Sequence, residues 1–240
     1  MKLPPLKKGT LLKRYKRFLA DIRLDSGQEV TAYCPNTGTM LSCNEPGSTV
    51  MVSHHDNPKR KFPYTWELVR IYNGWVGINT MLPNKIVMEA IKHKKIPELI
   101  DFDEIETEVP YGENSRIDLL LKKNNLLCYI EVKNVTLVKD HIAFFPDAVT
   151  ARGTKHLLEL AHMVKLGHRA VMFYLVQRMD AKLFRPAERI DPKYSQTLEK
   201  VHKTGVEILV YQANVQPEEI TIKRVLPFEL NHKTNNNYPF

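Results

Sequence analysis

The sequence predicts an α+β protein in which a small β-barrel precedes an α/β unit with a mixed sheet flanked by helices. Short β-type runs, punctuated by Gly, Pro and Asn, occupy residues 11–80 with little helical periodicity. A helical pattern replaces them after Pro83, and strand-like and helical runs then alternate as far as residue 212. We therefore expect two domains, 1–82 and 83–230, and a disordered polar tail over 231–240.

The first unit reads as five strands joined by short loops. They are predicted over residues 11–24, 29–34, 49–53, 65–72 and 75–79. Asn73 and Gly74 are predicted to form a hairpin turn, because both residue types tolerate positive φ. Five strands on this length are typical of a small barrel such as an OB-fold.

The second unit opens on an amphipathic helix that follows Pro83 and ends before Pro97. Its apolar stripe consists of Ile86, Val87, Ala90 and Ile91. Asp191 and Pro192 have the residue types of an N-cap and a first helical position. The elements predicted after the first helix are strands over 104–109, 116–121 and 126–135, a helix over 146–167, a buried strand over 169–176, a helix over 191–205 and a strand over 206–212.

The charge balance favours a polyanionic partner. Lys and Arg together number 35 against 27 Asp and Glu, which gives a formal net charge of +8. Such a surplus is typical of proteins that bind nucleic acid, although a basic surface that binds nothing has the same composition. The position of the basic residues has to distinguish the two.

The cysteines and the hydropathy pattern point to a cytoplasmic protein. Cys34, Cys43 and Cys128 are odd in number and widely spaced, which indicates reduced thiols in place of a disulfide framework or zinc ribbon. No apolar run has the length of a signal peptide or of a membrane span. We expect neither secretion nor insertion into a membrane.

The predicted hairpin over residues 116–133 carries the chemistry. If Asn124 and Asn125 form a two-residue turn, Asp118 lies opposite Glu131, and Lys133 shares their face. Like charges across a strand pair are unfavourable, and a divalent cation such as Mg²⁺ or Mn²⁺ would compensate them. The opposite face is predicted to be apolar and to pack on a helix; it consists of Ile117, Leu119, Leu121, Cys128, Ile130 and Val132.

Glu89, on the preceding helix, could add a further carboxylate to this site. The alternative for the hairpin is a solvated edge on which Asp118 pairs with Arg116 or Lys133 and nothing is catalysed. For Glu89, the alternative to a role in the site is an exposed position on the helix.

Three groups of basic residues are candidate nucleic-acid contacts. Two of them interleave cations with aromatics, and the third lies on one face of a predicted helix next to the carboxylates. Solvated strand edges and helical ion pairs are the alternatives. The groups are Lys13, Arg14, Lys16 and Arg17 beside Tyr15 and Phe18; Lys59, Arg60 and Lys61 beside Phe62; and Arg152, Lys155 and His156 beside Glu159.

His54 and His55 could be metal ligands together with Asp56. Adjacent residues of a strand point to opposite faces, so a surface loop is the better interpretation.

Five motifs occur in one order along the chain. They are Cys34-Pro35-Asn36-Thr37-Gly38, Tyr64-Thr65-Trp66-Glu67-Leu68, Tyr111-Gly112-Glu113-Asn114-Ser115-Arg116-Ile117-Asp118, Tyr129-Ile130-Glu131-Val132-Lys133 and Phe145-Pro146-Asp147-Ala148-Val149-Thr150. Together they resemble the sugar fermentation stimulation protein family, SfsA, over residues 9–230.

This resemblance implies an N-terminal OB-fold domain and a C-terminal domain of the PD-(D/E)XK nuclease superfamily. It also implies DNA binding and a regulatory role in sugar metabolism. Asp118, Glu131 and Lys133 take the acidic, acidic and lysine places of the superfamily, and Glu89 takes the helical glutamate place. The resulting hypothesis is a DNA-binding protein with a Mg²⁺-dependent phosphodiesterase site; the alternative is a non-catalytic DNA-binding regulator that retains the nuclease fold.

Overall fold

The N-terminal part of the computed structural model, which describes residues 1–112 and 114–230, is a closed barrel. Its strands run in the order β3-β2-β1-β4-β5-β6, and a parallel pairing of β3 with β5 closes five of them into the barrel. This confirms the OB-like expectation. The strands are β1 Leu6–Tyr15, β2 Leu19–Leu24, β3 Glu29–Tyr33, β4 Thr49–His54, β5 Tyr64–Ile71 and β6 Gly74–Gly77.

Two turns of the barrel differ from the prediction. The run predicted as one strand over 11–24 is divided into β1 and β2 by a turn, in which Lys16 and Arg17 have φ of 48° and 63°. In the last hairpin Ile71 pairs with Gly74, so the turn residues are Tyr72 and Asn73, not Asn73 and Gly74. Both errors arise because these non-glycine residues, Tyr72 at φ 51° included, adopt a left-handed backbone that propensity does not favour.

The C-terminal part is built on a six-stranded mixed sheet. Its order is β15-β14-β12-β9-β8-β7, in which β9, β12 and β14 are parallel and the outer pairings are antiparallel. A smaller sheet, β10-β11-β13, lies beside it. The strands are β7 Glu104–Tyr111, β8 Ser115–Lys123, β9 Leu126–Val135, β10 Leu137–Lys139, β11 Ile142–Phe145, β12 Arg169–Val176, β13 Leu183–Pro186, β14 Glu207–Val215 and β15 Ile220–Val225.

Helices cover both faces of the large sheet. They are α1 Pro83–Lys92, α2 Ala151–Lys165 and α3 Pro192–Lys203, with a 3-10 turn at Pro97–Leu99. The predicted apolar stripe of α1 is buried and packs on the face that holds Leu119, Leu121 and Ile130. The opposite face packs on α2 and α3 through Leu157, Leu160 and Leu198.

Three predicted details need correction or lie outside the described residues. Ile117 packs in the core on the α2 side, so the apolar face predicted for the hairpin begins only at Leu119. Helix α2 begins at Ala151 and not at Pro146, because the Thr150 side chain caps it by accepting a hydrogen bond from Gly153 N. The tail predicted as disordered, 231–240, lies outside the described residues.

The N-cap at Asp191 is confirmed, since its side chain accepts from Tyr194 N at 3.0 Å. No helix among the described residues is long and apolar enough to cross a membrane.

Candidate active site

Strands β8 and β9 pair in the register that the two-residue turn predicts. Lys123 lies opposite Leu126, and the ladder continues to Leu119 opposite Ile130. It stops before Asp118, whose Oδ2 accepts the main-chain N–H of Val132 at 2.7 Å. The carboxylate thus takes a hydrogen bond from a main-chain donor of the neighbouring strand, and this bond holds it at the point where the strands separate.

Asp118 and Glu131 line the same cleft, together with Lys133. Glu131 is 2% exposed and lies on β9, an interior strand of the sheet. Its Oε1 accepts from Lys133 Nζ at 2.6 Å and from His156 Nδ1. The three hairpin residues of the predicted catalytic group therefore lie in one cleft, on neighbouring strands of the sheet.

Helix α1 contributes Asn84 to this group, and Glu89 does not reach it. Asn84 Nδ2 donates to Asp118 Oδ1 at 2.7 Å. Glu89 instead pairs with the α-ammonium of Met1 at 2.8 Å. Five residues along a helix correspond to a rotation of roughly 140°, so Asn84 and Glu89 point in different directions. Asn84 was not predicted from the sequence, because only a carboxylate was expected from this helix.

The pKa values of the two carboxylates are shifted in opposite directions by their environments. Burial, followed by the charge of Glu131, raises the pKa of Asp118 to about 6. Burial also acts to raise the pKa of Glu131, but the hydrogen bond from His156 and the charge of Lys133 outweigh it and lower that pKa. Pairs of carboxyl groups whose pKa values are pushed apart are typical of catalytic sites.

His156 was predicted to contact nucleic acid, and the structure places it beneath the carboxylates. It is 5% exposed. Arg152 Nε donates to His156 Nε2 at 3.4 Å, which leaves Nδ1 as the nitrogen that donates to Glu131. Arg152, exposed at the surface, is thus connected to Glu131 through a buried imidazole.

The donor set fits a hard divalent cation. Glu131 Oε2 is buried and has no hydrogen-bond partner, so one carboxylate oxygen is available as a ligand. Within residues 1–112 and 114–230, no group of three or more His, Cys, Asp or Glu side chains is placed to hold a metal. Mg²⁺ is usually bound by one or two carboxylates and keeps several waters, and Asp118 with Glu131 provides that number.

The barrel forms one wall of the cleft, whose volume is about 560 Å³. It contributes Arg17 and the loop over residues 36–38. Arg14 holds this loop, because its Nη2 donates to the carbonyls of Asn36 at 2.9 Å and Gly38 at 2.8 Å. Arg14 was predicted to bind nucleic acid, and its guanidinium is engaged within the protein.

Comparison with family models assigns both parts of the chain. Residues 81–219 match the model described as "Sugar fermentation stimulation protein RE domain", and residues 12–78 match "SfsA N-terminal OB domain". The chain belongs to the SfsA family. A sugar fermentation stimulation protein homolog from Geotalea uraniireducens is 55% identical over 223 residues, which cover 92% of this chain and 96% of that one. A homolog from Shewanella frigidimarina is 51% identical over 218 residues, covering 90% and 93%.

A solved structure has the same fold. The Pyrococcus furiosus SfsA, described as "in complex with Ca2+", superposes with a TM-score of 0.88 at 26% identity and covers 95% of this chain and 98% of that one.

Two of the motifs that carry the SfsA resemblance meet across the cleft. Thr39 Oγ1 donates to the carbonyl of Asp147 at 2.7 Å, and Met40 N donates to Asp147 Oδ2 at 2.9 Å. A Cβ on Gly38 would lie 2.6 Å from Asp147 Oδ1, so a larger residue there would displace the Asp147 side chain. Asn36, Thr37 and Gly38 have the residue types of a turn, and the SfsA resemblance implies a loop that faces the second domain or nucleic acid. The contacts with Asp147 show that this loop faces the second domain.

The remaining predicted basic residues lie apart from the carboxylates. Lys13 pairs with Asp21 at 3.3 Å, and Arg60 donates to Thr65 Oγ1 at 2.9 Å. Lys155 lies near the cleft on α2, 3.5 Å from Glu159. The residues on exposed turns and loops of the barrel are Lys16, Lys59 and Lys61.

The histidines at the end of β4 do not form a metal site. His54 Nδ1 lies 3.1 Å from Asp56, and His55 Nε2 lies 3.1 Å from Ser53 Oγ. The SfsA fold thus places these two side chains in separate polar contacts.

Proposed function

We propose that this protein binds DNA and hydrolyses phosphodiester bonds with the help of Mg²⁺ or Mn²⁺. The observation that carries the proposal is the convergence of Asp118, Glu131 and Lys133 in one cleft. Two carboxylates and a lysine are the groups that a metal-dependent nuclease needs, and the resemblance to the PD-(D/E)XK superfamily gives them the same roles.

Each residue has a task that its position supports. Asp118 and Glu131 would hold the cation, which supplies Lewis-acid stabilisation of the charge that develops on phosphate. Lys133 Nζ, next to Glu131, would orient the attacking water and stabilise the phosphorane. Arg116 and Arg152 line the same cleft, are exposed, and can bind the flanking phosphates.

The relatives support a hard cation and a link to sugar metabolism. Ca²⁺ accompanies the Pyrococcus furiosus SfsA, and Ca²⁺ and Mg²⁺ both prefer oxygen ligands. The homologues are named for the stimulation of sugar fermentation, which fits regulation through DNA.

The test is hydrolysis of single-stranded, duplex and branched DNA in Mg²⁺ or Mn²⁺. Asp118→Asn should abolish cleavage and leave DNA affinity nearly unchanged, because it removes a ligand charge and no phosphate contact. High Mg²⁺ should partly rescue this variant. Lys133→Ala should also slow cleavage, but added metal should not rescue it, because the lysine acts on the transition state.

The control is Asp101→Asn, an exposed carboxylate outside the cleft, which should cleave as the wild type does. A wild type that cleaves no form of DNA, and that binds DNA equally well in chelator, would contradict the enzymatic proposal.

The second candidate is a non-catalytic DNA-binding regulator. It is favoured by the fact that both oxygens of Asp118 are already hydrogen bonded, to Asn84 and Val132, and that Lys133 already pairs with Glu131. Both oxygens of Asp118 thus have partners without a metal. DNA binding without cleavage or Mg²⁺ affinity is the result that this candidate predicts.

A further inference from the structure

We propose that the cleft accepts one unpaired strand of nucleic acid, with a single unstacked base inside it, and excludes the duplex. The inference names the substrate class of the proposed nuclease site and rests on that proposal for the reaction. Its binding step is independent of metal and can be tested alone.

The carboxylates lie in a cleft that has two walls and is partly open to solvent. The cleft of about 560 Å³ is bounded by the barrel on one side and by the mixed sheet on the other. Cavities of 300–1,000 Å³ hold one drug-sized ligand, a class that includes a nucleotide. A phosphate within a duplex would bring its partner strand against the barrel wall, whereas a single strand brings no second chain.

The barrel wall is fixed in place. Asp147 accepts hydrogen bonds from Thr39 and Met40, and Gly38 packs against its carboxylate. On the barrel side, Arg14 holds the same loop by donating to four main-chain carbonyls, those of Arg17, Asn36, Gly38 and Thr39. Moving the barrel wall away from the carboxylates to admit a duplex would break these contacts, so we expect the cleft to keep this form when a strand binds.

A basic channel leads out of the cleft along α2. A second cavity, of about 630 Å³, shares Glu108, Arg116, Arg152 and His156 with the first. It also reaches Lys155, and Arg116, Arg152 and Lys155 are exposed. A positively charged groove one strand wide is the usual path for the backbone of single-stranded nucleic acid.

The cleft also offers polar and aromatic groups that suit a base. They belong to Asn36, Thr37, Thr136 and Phe145, and the Asp147 carboxylate beside them is held by Thr39 and Met40. Amide and hydroxyl groups can hydrogen bond to base edges, and a phenyl ring can stack on a base. We therefore place a base among these groups, a phosphate at the carboxylates, and the rest of the strand along the basic channel.

The experiment measures binding in chelator, so that no cleavage occurs. A labelled 12-nucleotide single strand and the duplex of the same sequence are titrated at several salt concentrations, with wild type, Arg116→Ala, Lys155→Ala and the control Lys165→Ala. Lys165 is exposed on the same helix as Lys155 but lies outside both cavities. Circular dichroism verifies that each variant is folded.

The wild type should prefer the single strand. Arg116→Ala and Lys155→Ala should each reduce the salt slope for the single strand by about 0.7, the value for one lost phosphate contact. The slope for the duplex should not change with either variant, and Lys165→Ala should alter neither slope. Equal losses for duplex and single strand, or a wild type that prefers the duplex, would overturn the proposal.

Cleavage provides a second test of the preference for a single strand. On a duplex with a single-stranded overhang in Mg²⁺, cuts should be confined to the overhang, and cuts within the paired region would overturn the inference. A protein that prefers the single strand but never cleaves would refute the proposed reaction and leave the strand preference standing.

Discussion

At the scale of single residues, His156 is the side chain whose interpretation changes most. A histidine beside arginine and lysine on a helix is expected to contact phosphate, but this one is buried and donates through Nδ1 to Glu131. Residues that orient a metal ligand in this way typically alter metal affinity 10–100-fold when removed. We therefore interpret His156 as a positioning residue for Glu131.

Replacing His156 by asparagine or glutamine tests this role. An asparagine amide can occupy the place of Nδ1 and a glutamine amide the place of Nε2, so only His156→Asn should retain the hydrogen bond to Glu131. We expect His156→Gln to weaken Mn²⁺ binding by roughly 10–100-fold, and His156→Asn to weaken it much less. Calorimetric titration measures both, and His162→Ala, exposed on the same helix, is the control. Equal affinities of the two amide variants would contradict the interpretation.

If Asp118 holds the proposed cation, metal binding should depend on pH. Its pKa is raised from 3.8 to about 6, and a cation must displace the proton. Below pH 6 the affinity for Mg²⁺ should therefore rise up to about tenfold per pH unit, and it should level off above that value. Asp118→Asn should remove this dependence. A flat wild-type profile between pH 5 and 7 would be incompatible with a role for Asp118 as a ligand.

In the absence of metal, the raised pKa of Asp118 should make the protein less stable as the pH rises. Because the folded state holds this proton more tightly than the unfolded state, the contribution of Asp118 to the unfolding free energy falls as pH rises from about 4 to about 6. Denaturation in chelator, compared with Asp118→Asn, isolates that contribution.

At the scale of secondary-structure elements, α2 joins an exposed basic surface to the carboxylates. It carries Arg152 at its exposed first turn and His156 one turn further, against Glu131. Its start is set by Thr150, whose side chain accepts from Gly153 N at 3.0 Å. Propensity does not decide whether residues 146–150 are helix or loop, because Pro146 and Asp147 are favoured both in first helical turns and in turns.

Loss of this cap should destabilise the protein measurably. Thr150→Ala should lower the unfolding free energy by about 1 kcal/mol, while Thr150→Ser should keep most of it, because serine retains the acceptor. Urea denaturation of both variants separates the contribution of the hydroxyl group to stability from that of the methyl group. If Ser and Ala have the same effect, the contribution comes from packing and not from the cap.

At the scale of the whole molecule, the domains are joined by polar contacts through buried groups. Arg178 is 1% exposed and donates to Ser42 Oγ of the barrel and to the carbonyl of Thr136, both at 3.0 Å. Its charge is balanced by Asp180 at 2.7 Å. This arrangement fixes the barrel loop relative to the strands that carry the carboxylates.

Arg178→Ala should therefore destabilise the protein by about 1–3 kcal/mol, because it removes a donor from the buried carbonyl of Thr136. The control is Arg23→Ala, which breaks an exposed pair with Glu29 and should cost at most about 1 kcal/mol. Thermal denaturation compares them. Similar losses in the two variants would mean that Arg178 does not hold the interface.

The sequence by itself determined the local parts of this protein. Alternation of period two and the Asn124-Asn125 turn are short-range features. They predict the pairing from Lys123 opposite Leu126 to Leu119 opposite Ile130, which brings Asp118, Glu131 and Lys133 to one cleft. The order of helices around the parallel strands follows from similar patterns. Short strands such as β10 and β13 were missed, because three or four residues contain too little periodicity.

Only the tertiary structure decided which other residues reach the site. Asn84 is 34 positions from Asp118, and Thr39 is 108 positions from Asp147, so no local pattern connects either pair. Their meeting depends on how α1 packs on the sheet and how the barrel docks. For the same reason Arg14 could be recognised as a cation from the sequence, but only the fold shows that its charge is used to hold the wall of the cleft.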